Sequence, residues 1–255
     1  MSKVSNIIVG LGEVGNPLFE IIRGAYPDTV GIDPGKGQER PESIDSCEFL
    51  HICIPGGLEN FAEITESYLG EISVEKALII HSTVLPGTTR KIKFSQEKKF
   101  HSPVNGKHSD MKRCMIKYPK FVSACSENPD TFDIGALYKR CGLDFTYVPG
   151  GTEVTELGKI LATTAYGYNI AWAQEVERIC EEVNVKWQDV VKCYEEIESP
   201  DFTMKGKFPG ATGGHCVREN LWLIGRVLSS SLFDFILDSD KKYREDHGID
   251  PEWRR

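Results

Sequence analysis

The chain has no excess of basic residues. Its 255 residues hold 30 Lys and Arg against 38 Asp and Glu, a net charge of −8. Binding to nucleic-acid backbones needs clustered cations, so a general nucleic-acid binder is excluded as a class, although a local pocket for an anionic substrate is not. No stretch approaches the length of a membrane span, and the first residues lack a basic-then-apolar leader. The expectation is a cytoplasmic protein with no membrane partner. Eight cysteines are present without one C-x-x-C pair, which removes zinc-ribbon and thioredoxin readings. No metal site is expected, and most of the thiols read as small core residues in a reducing compartment. There is no internal repeat and no low-complexity segment. With 40% hydrophobic residues, the chain can build one large domain or two modest ones.

What is present starts at Asn6. Ile7, Ile8 and Val9 form a short apolar run of the kind that becomes a buried parallel strand. Gly10, Gly12 and Gly15 follow at the G-x-G-x-x-G spacing, with Glu13 and Val14 between them; Leu18, Ile21 and Ile22 then mark a helix face. Val30 to Ile32 is a second strand, ending on Asp33. In that order the pieces are a dinucleotide-binding fingerprint. Gly10 turns the chain out of the strand, Gly12 admits a pyrophosphate to the backbone, and Gly15 lets helix and strand pack. The helix N-terminus meets the phosphates. Asp33 stands where an acid accepts hydrogen bonds from the ribose hydroxyls and repels a 2′-phosphate, which favours NAD over NADP.

Short strands then alternate with helices. Phe49–Pro55, Ala77–Ser82, Phe100–Val104, Lys120–Ala124 and Asp144–Val148 read as strands; Leu58–Leu69 and Asn128–Cys141 read as helices, and Ser43–Cys47 as a short helix or turn. The fold class is α/β: an N-terminal doubly wound Rossmann domain over residues 1–150, followed by an all-α domain over 151–255 with one long helix. Leu157, Leu161, Ala165, Tyr168, Trp172, Val176, Ile179 and Val183 recur at steps of three and four, predicting a helix over 153–183, roughly 45 Å long at 1.5 Å per residue. Its stripe is bundle core in the plain reading; in the sharper one it also packs on the same helix of a second subunit, making a homodimer. Trp187–Ile197 and Glu219–Leu237 read as further helices, and the charged tail beyond Asp238 as a frayed helix.

Four stretches outside the fingerprint can carry chemistry. Cys53, Ile54 and Pro55 end a strand on the side where cofactors sit in this fold class; a buried strand end is the plain alternative. Ser82 and Thr83 place hydroxyls at another strand end, where Thr83 can reach a nicotinamide ribose or a substrate oxygen, against a mere turn or cap. Lys159, with Glu156 and Thr163 one turn either side, is either a solvated charge or a general acid/base and oxyanion clamp. Gly213, Gly214, His215 and Cys216 form a glycine loop entering a helix. There the thiol is either a buried structural cysteine or a nucleophile activated by backbone N–H groups and the helix N-terminus.

Taken together, the Gly10–Gly15 fingerprint, Ile52-Cys53-Ile54-Pro55, Ser82-Thr83-Val84 with Gly87-Thr88-Thr89, Thr155-Glu156-Leu157-Gly158-Lys159, and Gly213-Gly214-His215-Cys216 occur in the order seen in nucleotide-sugar dehydrogenases. The chain resembles that family over nearly its whole length, with the Gly-Gly-His-Cys segment the most specific match. The resemblance implies oxidation of a sugar alcohol with NAD. In it Cys216 captures an aldehyde as a thiohemiacetal, Lys159 holds the reacting oxygens, Thr83 positions a water or hydroxyl, and Thr163, Gly213, Gly214 and His215 contact substrate. The chain departs from the family at Val104, where the glucose-type enzymes carry glutamate, and at Thr163, where they carry asparagine. Glu219 and Asn220 stand where that type has lysine and aspartate. It reads as a short form without the family's C-terminal nucleotide-binding domain. Two alternatives stay open: a hydroxyacid dehydrogenase that uses Lys159 without a cysteine nucleophile, and a non-catalytic NAD sensor or scaffold with His101, Lys107, His108, Lys112 and Arg113 facing an anionic partner.

Overall fold

The computed structural model describes residues 2–106, 108–127, 129–195, 209–212, 215–226 and 230–249. The chain divides into two compact units, Met1–Lys159 and Ile160–Arg255. The sequence places the boundary at Gly150. The nine residues of difference are the turn and start of the long helix, which stay with the first unit because Thr155 and Glu156 bond into it.

The first unit is built on one sheet. Its strands are β1 (Ser2–Val9), β2 (Val30–Ile32), β3 (Ile44–Ile52), β4 (Ser73–Ile80), β5 (Lys99–His101), β6 (Lys120–Ala124) and β7 (Phe145–Tyr147), in the order β2-β1-β3-β4-β5-β6-β7. The helices between them are α1 (Gly15–Ala25), α2 (Phe61–Glu71), α3 (Thr88–Lys91), α4 (Met111–Lys117) and α5 (Phe132–Arg140). The fold is the α/β Rossmann class expected. Ile7, Ile8 and Val9 are fully buried, because a parallel sheet is covered on both faces and its central strands are apolar throughout. Alternation sorts the side chains into two cores. Ile8, Phe49, Ile79, Phe100 and Val122 face one way with Leu18, Leu137 and Tyr138. Ile7, Val9, Leu50, Ile52, Leu78 and Ile80 face the other with Phe61. From β1 the chain steps outward to β2 on one side and to β3 on the other, which makes the C-terminal end of β1 the switch point where such sheets bind ligands.

Several expectations are corrected. Ser43–Cys47 is not a helix or turn: Ile44 opens β3, pairing with Ser2, and both Ile44 and Cys47 are buried by that pairing. The sheet is not wholly parallel, since β5 and β6 run antiparallel; only a loop and the seven-residue α4 connect them. The helix expected over 128–141 is shorter, with Asp130 accepting the Phe132 N–H just before α5.

The second unit contains most of α6 (Thr152–Glu182), then α7 (Trp187–Glu195), α8 (His215–Gly225) and α9 (Ser231–Asp246). The stretch expected as one helix over Glu219–Leu237 is two. Ser230 accepts from the Leu232 N–H and caps α9, as a serine at an N-cap does. Nor does the helix fray past Asp238. It runs to Asp246, with Asp240 paired to Arg244 one turn on and Tyr243 buried. Its core is Ala171, Val217, Leu221 and Ile236. A side chain at Gly167 would stand 2.5 Å from Val217, so α6 and α8 approach closely. The stripe read from the sequence is mostly not this core: Leu161, Ala165, Tyr168, Trp172, Ile179 and Val183 are exposed, Leu157 is half-buried and Val176 is buried, while Ile160, Thr164, Ala171 and Gln174 are buried beside it. Among the described residues no helix is long and apolar enough to cross a membrane.

Ile79 lies on β4 between β3 and β5 and is fully buried. Ile79→Ala is expected to lower the unfolding free energy by about 2–5 kcal/mol, read from denaturant melts.

Candidate functional site

The turn between β1 and α1 is sterically closed except at one place. Gly10 has φ +86, a conformation that costs other residues strain, and a side chain there would sit 2.9 Å from the Cys53 carbonyl. At Gly15 a Cβ would stand 1.7 Å from the Gly10 oxygen, so only glycine fits. Above Gly12 nothing lies within 4 Å. The N-terminus of α1 has no side-chain cap and no acid in its first turn; within it the Asn16 N–H donates to the Gly12 carbonyl and the Leu18 N–H to Val14, and Pro17 has no N–H. Asp33 closes the site from β2. Its Oδ2 accepts from the Leu11 N–H at 2.9 Å, and Lys36 Nζ donates to the Leu11 carbonyl at 2.6 Å. One chain segment thus brings Gly10, Gly12, Glu13, Val14, Gly15 and Asp33 to the switch point.

The strand ends beside it form a second layer. The Cys53 N–H donates to the Val9 carbonyl at 2.8 Å. Burial pushes the Cys53 thiol up to about 12, so it is no nucleophile. Ser82 is buried, and its hydroxyl donates to the Ile54 carbonyl at 2.6 Å, tying the segment after β4 to the one after β3. Thr83 is half-buried, and its carbonyl packs where a side chain at Gly56 would be.

Glu156 has a role the sequence did not reveal. Its two oxygens accept from the N–H groups of Gly87 at 2.6 Å and Thr89 at 2.8 Å. The carboxylate therefore caps the start of α3 and anchors α6. Burial raises its pKa while the bonds to Thr89 and Gly87 oppose the rise. Lys159 follows one turn later, half-buried. Next to this anchor is a second buried group, of which the sequence reading named only His101. His101 bonds through Nδ1 to the Thr155 hydroxyl at 2.8 Å and through Nε2 to the Ser82 carbonyl at 3.1 Å. It is fully buried, so it cannot face an anionic partner. Of the other residues grouped with it, Lys112 pairs with Glu20 and Arg113 with Asp110. Lys120 is also buried and donates to the carbonyls of Ser102 at 2.8 Å and Pro103 at 2.9 Å. The signal for these groups was present: three successive strand ends carry a histidine, at 51, 81 and 101.

In the second unit the loop before Cys216 is anchored at its near side. Gln174 donates to the Gly210 carbonyl at 2.7 Å, and Asp240 accepts from the Thr212 N–H at 2.6 Å. Gly213 and Gly214 lie outside the described residues. His215 and Cys216 are the first two residues of α8, which puts the cysteine backbone in a helix's first turn. Thr163 is half-buried on α6. No cluster of metal-ligating side chains occurs among the described residues.

Residues 153–234 match the UDP-glucose/GDP-mannose dehydrogenase family, central domain. A UDP-N-acetyl-D-mannosamine dehydrogenase of Methanococcus maripaludis is 21% identical over 270 residues, covering 89% of this chain and 62% of that protein. The chain thus spans less than two thirds of the length of that relative. The structure of a UDP-D-ManNAc dehydrogenase from Pyrococcus horikoshii superposes with a TM-score of 0.80 at 18% identity, covering 95% of this chain and 70% of that one. A Mycobacterium tuberculosis 3-hydroxyisobutyrate dehydrogenase superposes with a TM-score of 0.68 at 14% identity, covering 96% and 95%. The resemblance to nucleotide-sugar dehydrogenases holds in sequence, and the fold is shared more widely.

The clearances give a stability test. Gly15→Ala is expected to lower the melting temperature by several degrees, because its Cβ meets backbone, while Gly12→Ala leaves it unchanged. Equal melting of the two variants would contradict the packing described.

Proposed function

We propose that this chain is an NAD-dependent oxidoreductase of a CH–OH group or aldehyde, acting on a sugar-like, nucleotide-linked substrate. The observation that carries the reading is the β1–α1 turn: closed to side chains at Gly10 and Gly15, open at Gly12, and flanked by an uncapped helix N-terminus and Asp33. That donor set fits a pyrophosphate and a ribose. The family match and the order of the motifs support the substrate class. When bound, the dinucleotide supplies the hydride acceptor.

The chain's own residues do the rest. The backbone from Gly12 to Gly15, at the start of α1, holds the phosphates, and Asp33 accepts from the ribose. Cys53, Ile54, Pro55 and Ser82 shape the strand ends against the cofactor. Thr83 orients a hydroxyl or water, and Lys159 takes or returns the substrate proton and steadies a developing alkoxide. Cys216, in the first turn of α8, is the nucleophile, with Thr163, Gly213, Gly214 and His215 holding substrate. We also propose a homodimer: the exposed Leu161, Tyr168, Trp172, Ile179 and Val183 on α6 make an apolar stripe that a second copy of the same helix would bury. The protein works in the cytoplasm without nucleic acid or membrane.

A second reading has one observation in its favour. The M. tuberculosis 3-hydroxyisobutyrate dehydrogenase matches this fold over nearly the whole of both chains. On that reading Lys159 does the acid/base work alone and Cys216 is incidental. The test is NADH formation with NAD and a panel of nucleotide sugars and hydroxyacids, counting NADH per substrate consumed. Two NADH per substrate, lost in Cys216→Ala, is the expected result. One NADH, unaffected by that substitution, would move the protein to the second reading. Tight NAD binding with no turnover would make it a sensor or scaffold.

A further inference from the structure

The chain leaves β4 at Ser82 and reaches α3, a helix of four residues with no side-chain cap of its own. Other elements close both of its ends. At the start, the two Glu156 oxygens accept from the N–H groups of Gly87 at 2.6 Å and Thr89 at 2.8 Å. At the end, Lys99 Nζ donates to the carbonyls of Arg90 at 2.9 Å and Ile92 at 2.5 Å. An anion at the first turn and a cation at the last are the signs that suit the helix dipole. Glu156 and Lys99 are both fully buried. His101 holds the beginning of the same segment. Its Nε2 lies 3.1 Å from the Ser82 carbonyl and its Nδ1 2.8 Å from the Thr155 hydroxyl. A carbonyl only accepts, so Nε2 carries the proton and Nδ1 accepts from Thr155. Burial draws the imidazole down to about 3, which keeps it neutral near pH 7.

Thr155 and Glu156 are consecutive residues of α6, and their bonds hold the chain on both sides of Thr83. Ser82 is fastened before it, and Gly87 and Thr89 after it. The stretch between is fixed as well. The Ser82 hydroxyl donates to the Ile54 carbonyl at 2.6 Å. The Thr83 carbonyl stands 1.8 Å from where a Cβ at Gly56 would be, and Val84 is fully buried. Lys159 is four residues beyond Thr155 and three beyond Glu156. The three side chains therefore leave α6 on one face, and that face is turned to the 82–89 segment. All of these residues belong to the first unit. Arg90 adds an outer link, with Nε and Nη2 on the Glu153 carboxylate at 2.5 and 3.0 Å; such an exposed pair adds little.

We propose that Glu156 and His101 are positioning residues of the oxidation, fastening the backbone around Thr83 to the turn of α6 that precedes Lys159. Both roles rest on the reading of Thr83 as the group that orients a hydroxyl or water and of Lys159 as the acid/base. Neither Glu156 nor His101 touches substrate, because both carboxylate oxygens and both ring nitrogens are taken up by these bonds. What they fix is where the Thr83 hydroxyl stands relative to the Lys159 amine. Two groups that serve one reacting oxygen must each be within hydrogen-bond reach of it, and a misplacement of about 1 Å can cost about a hundredfold in rate. The bonds are buried, so no water competes for them, and a bonded polar set in a low-dielectric interior holds one arrangement. A bond that only stabilised the fold would have a different signature. Its loss would lower the melting temperature and leave the turnover of the folded protein alone.

The test is a double-mutant cycle in turnover by the full chain. Glu156→Gln keeps the size of the side chain but sets an amide N–H against one of the two backbone N–H groups, so one bond is lost. It is expected to lower kcat about tenfold or more while leaving the affinity for NADH, read by calorimetry, unchanged. Combined with Thr83→Ala it should add little: the double variant is expected within about threefold of Thr83→Ala alone, because residues that act through one another are not additive. Losses that multiply would overturn the proposal, as would a Glu156→Gln protein that melts lower yet turns over like the wild type. Thr155→Val has nearly the same shape and removes the hydroxyl from His101. It is expected to behave alike in the same cycle, so it decides if Glu156→Gln does not fold. A wild-type protein that turns over no substrate would sink the proposed function. Amide exchange then decides the clamp: Thr155→Val should speed exchange at Gly87 and Thr89 by about threefold or more, although it touches neither, and unchanged exchange would overturn it.

Discussion

The Gly10 carbonyl occupies the space that any side chain at Gly15 would need. This contact fixes the angle at which α1 leaves β1, and the rest of the first unit follows from it. The Gly10 N–H donates to Ile32 at 2.8 Å and so joins the turn to β2. Cys53 packs against the same two glycines, which draws the end of β3 under the turn. Ser82 then ties the end of β4 to Ile54. The strand ends are thus fastened to one another by backbone contact, and only Gly12 is left open.

A second constraint runs through the sheet interior. A parallel sheet with both faces covered has no water to offer a polar side chain, so each buried polar group must find a partner within the protein. Asn6, His51, His81, His101 and Lys120 solve this jointly, on successive strands, with backbone carbonyls and Thr155 completing the set. Glu156 does the same for the backbone of the 87–89 turn and thereby fastens the start of α6. Bonded polar sets inside low-dielectric cores specify one arrangement; here the Asn6 Nδ2 is the atom left without a partner.

The local part of this was legible in the sequence. The fingerprint and Asp33 span one β-α-β unit, where spacing alone determines which residues meet, and the long helix announced itself by its period. The nonlocal part was hidden. Asn6 and His51 are 45 residues apart, and Glu156 is 67 from Thr89; only strand order and register bring them together. The stripe on α6 is periodic as the sequence implies, yet most of it, Leu161, Tyr168, Trp172, Ile179 and Val183, is exposed and only Val176 is buried, because small residues such as Gly167 and Ala171 let α8 approach from the other side. The break before α9 depended on Ser230 competing for a backbone N–H, which the apolar period of Leu228 and Leu232 masks.

On the function proposed here, the open face above Gly12 receives a dinucleotide without a 2′-phosphate. The measurement that tests it most directly is a calorimetric titration of NADH and NADPH into the full chain, repeated with Gly12→Ala. One site per chain is expected, with tighter binding of NADH than of NADPH and a loss of at least about tenfold in affinity for NADH, roughly 1.4 kcal/mol, in the variant. Absent binding, or equal binding of both dinucleotides unaffected by Gly12→Ala, would contradict it.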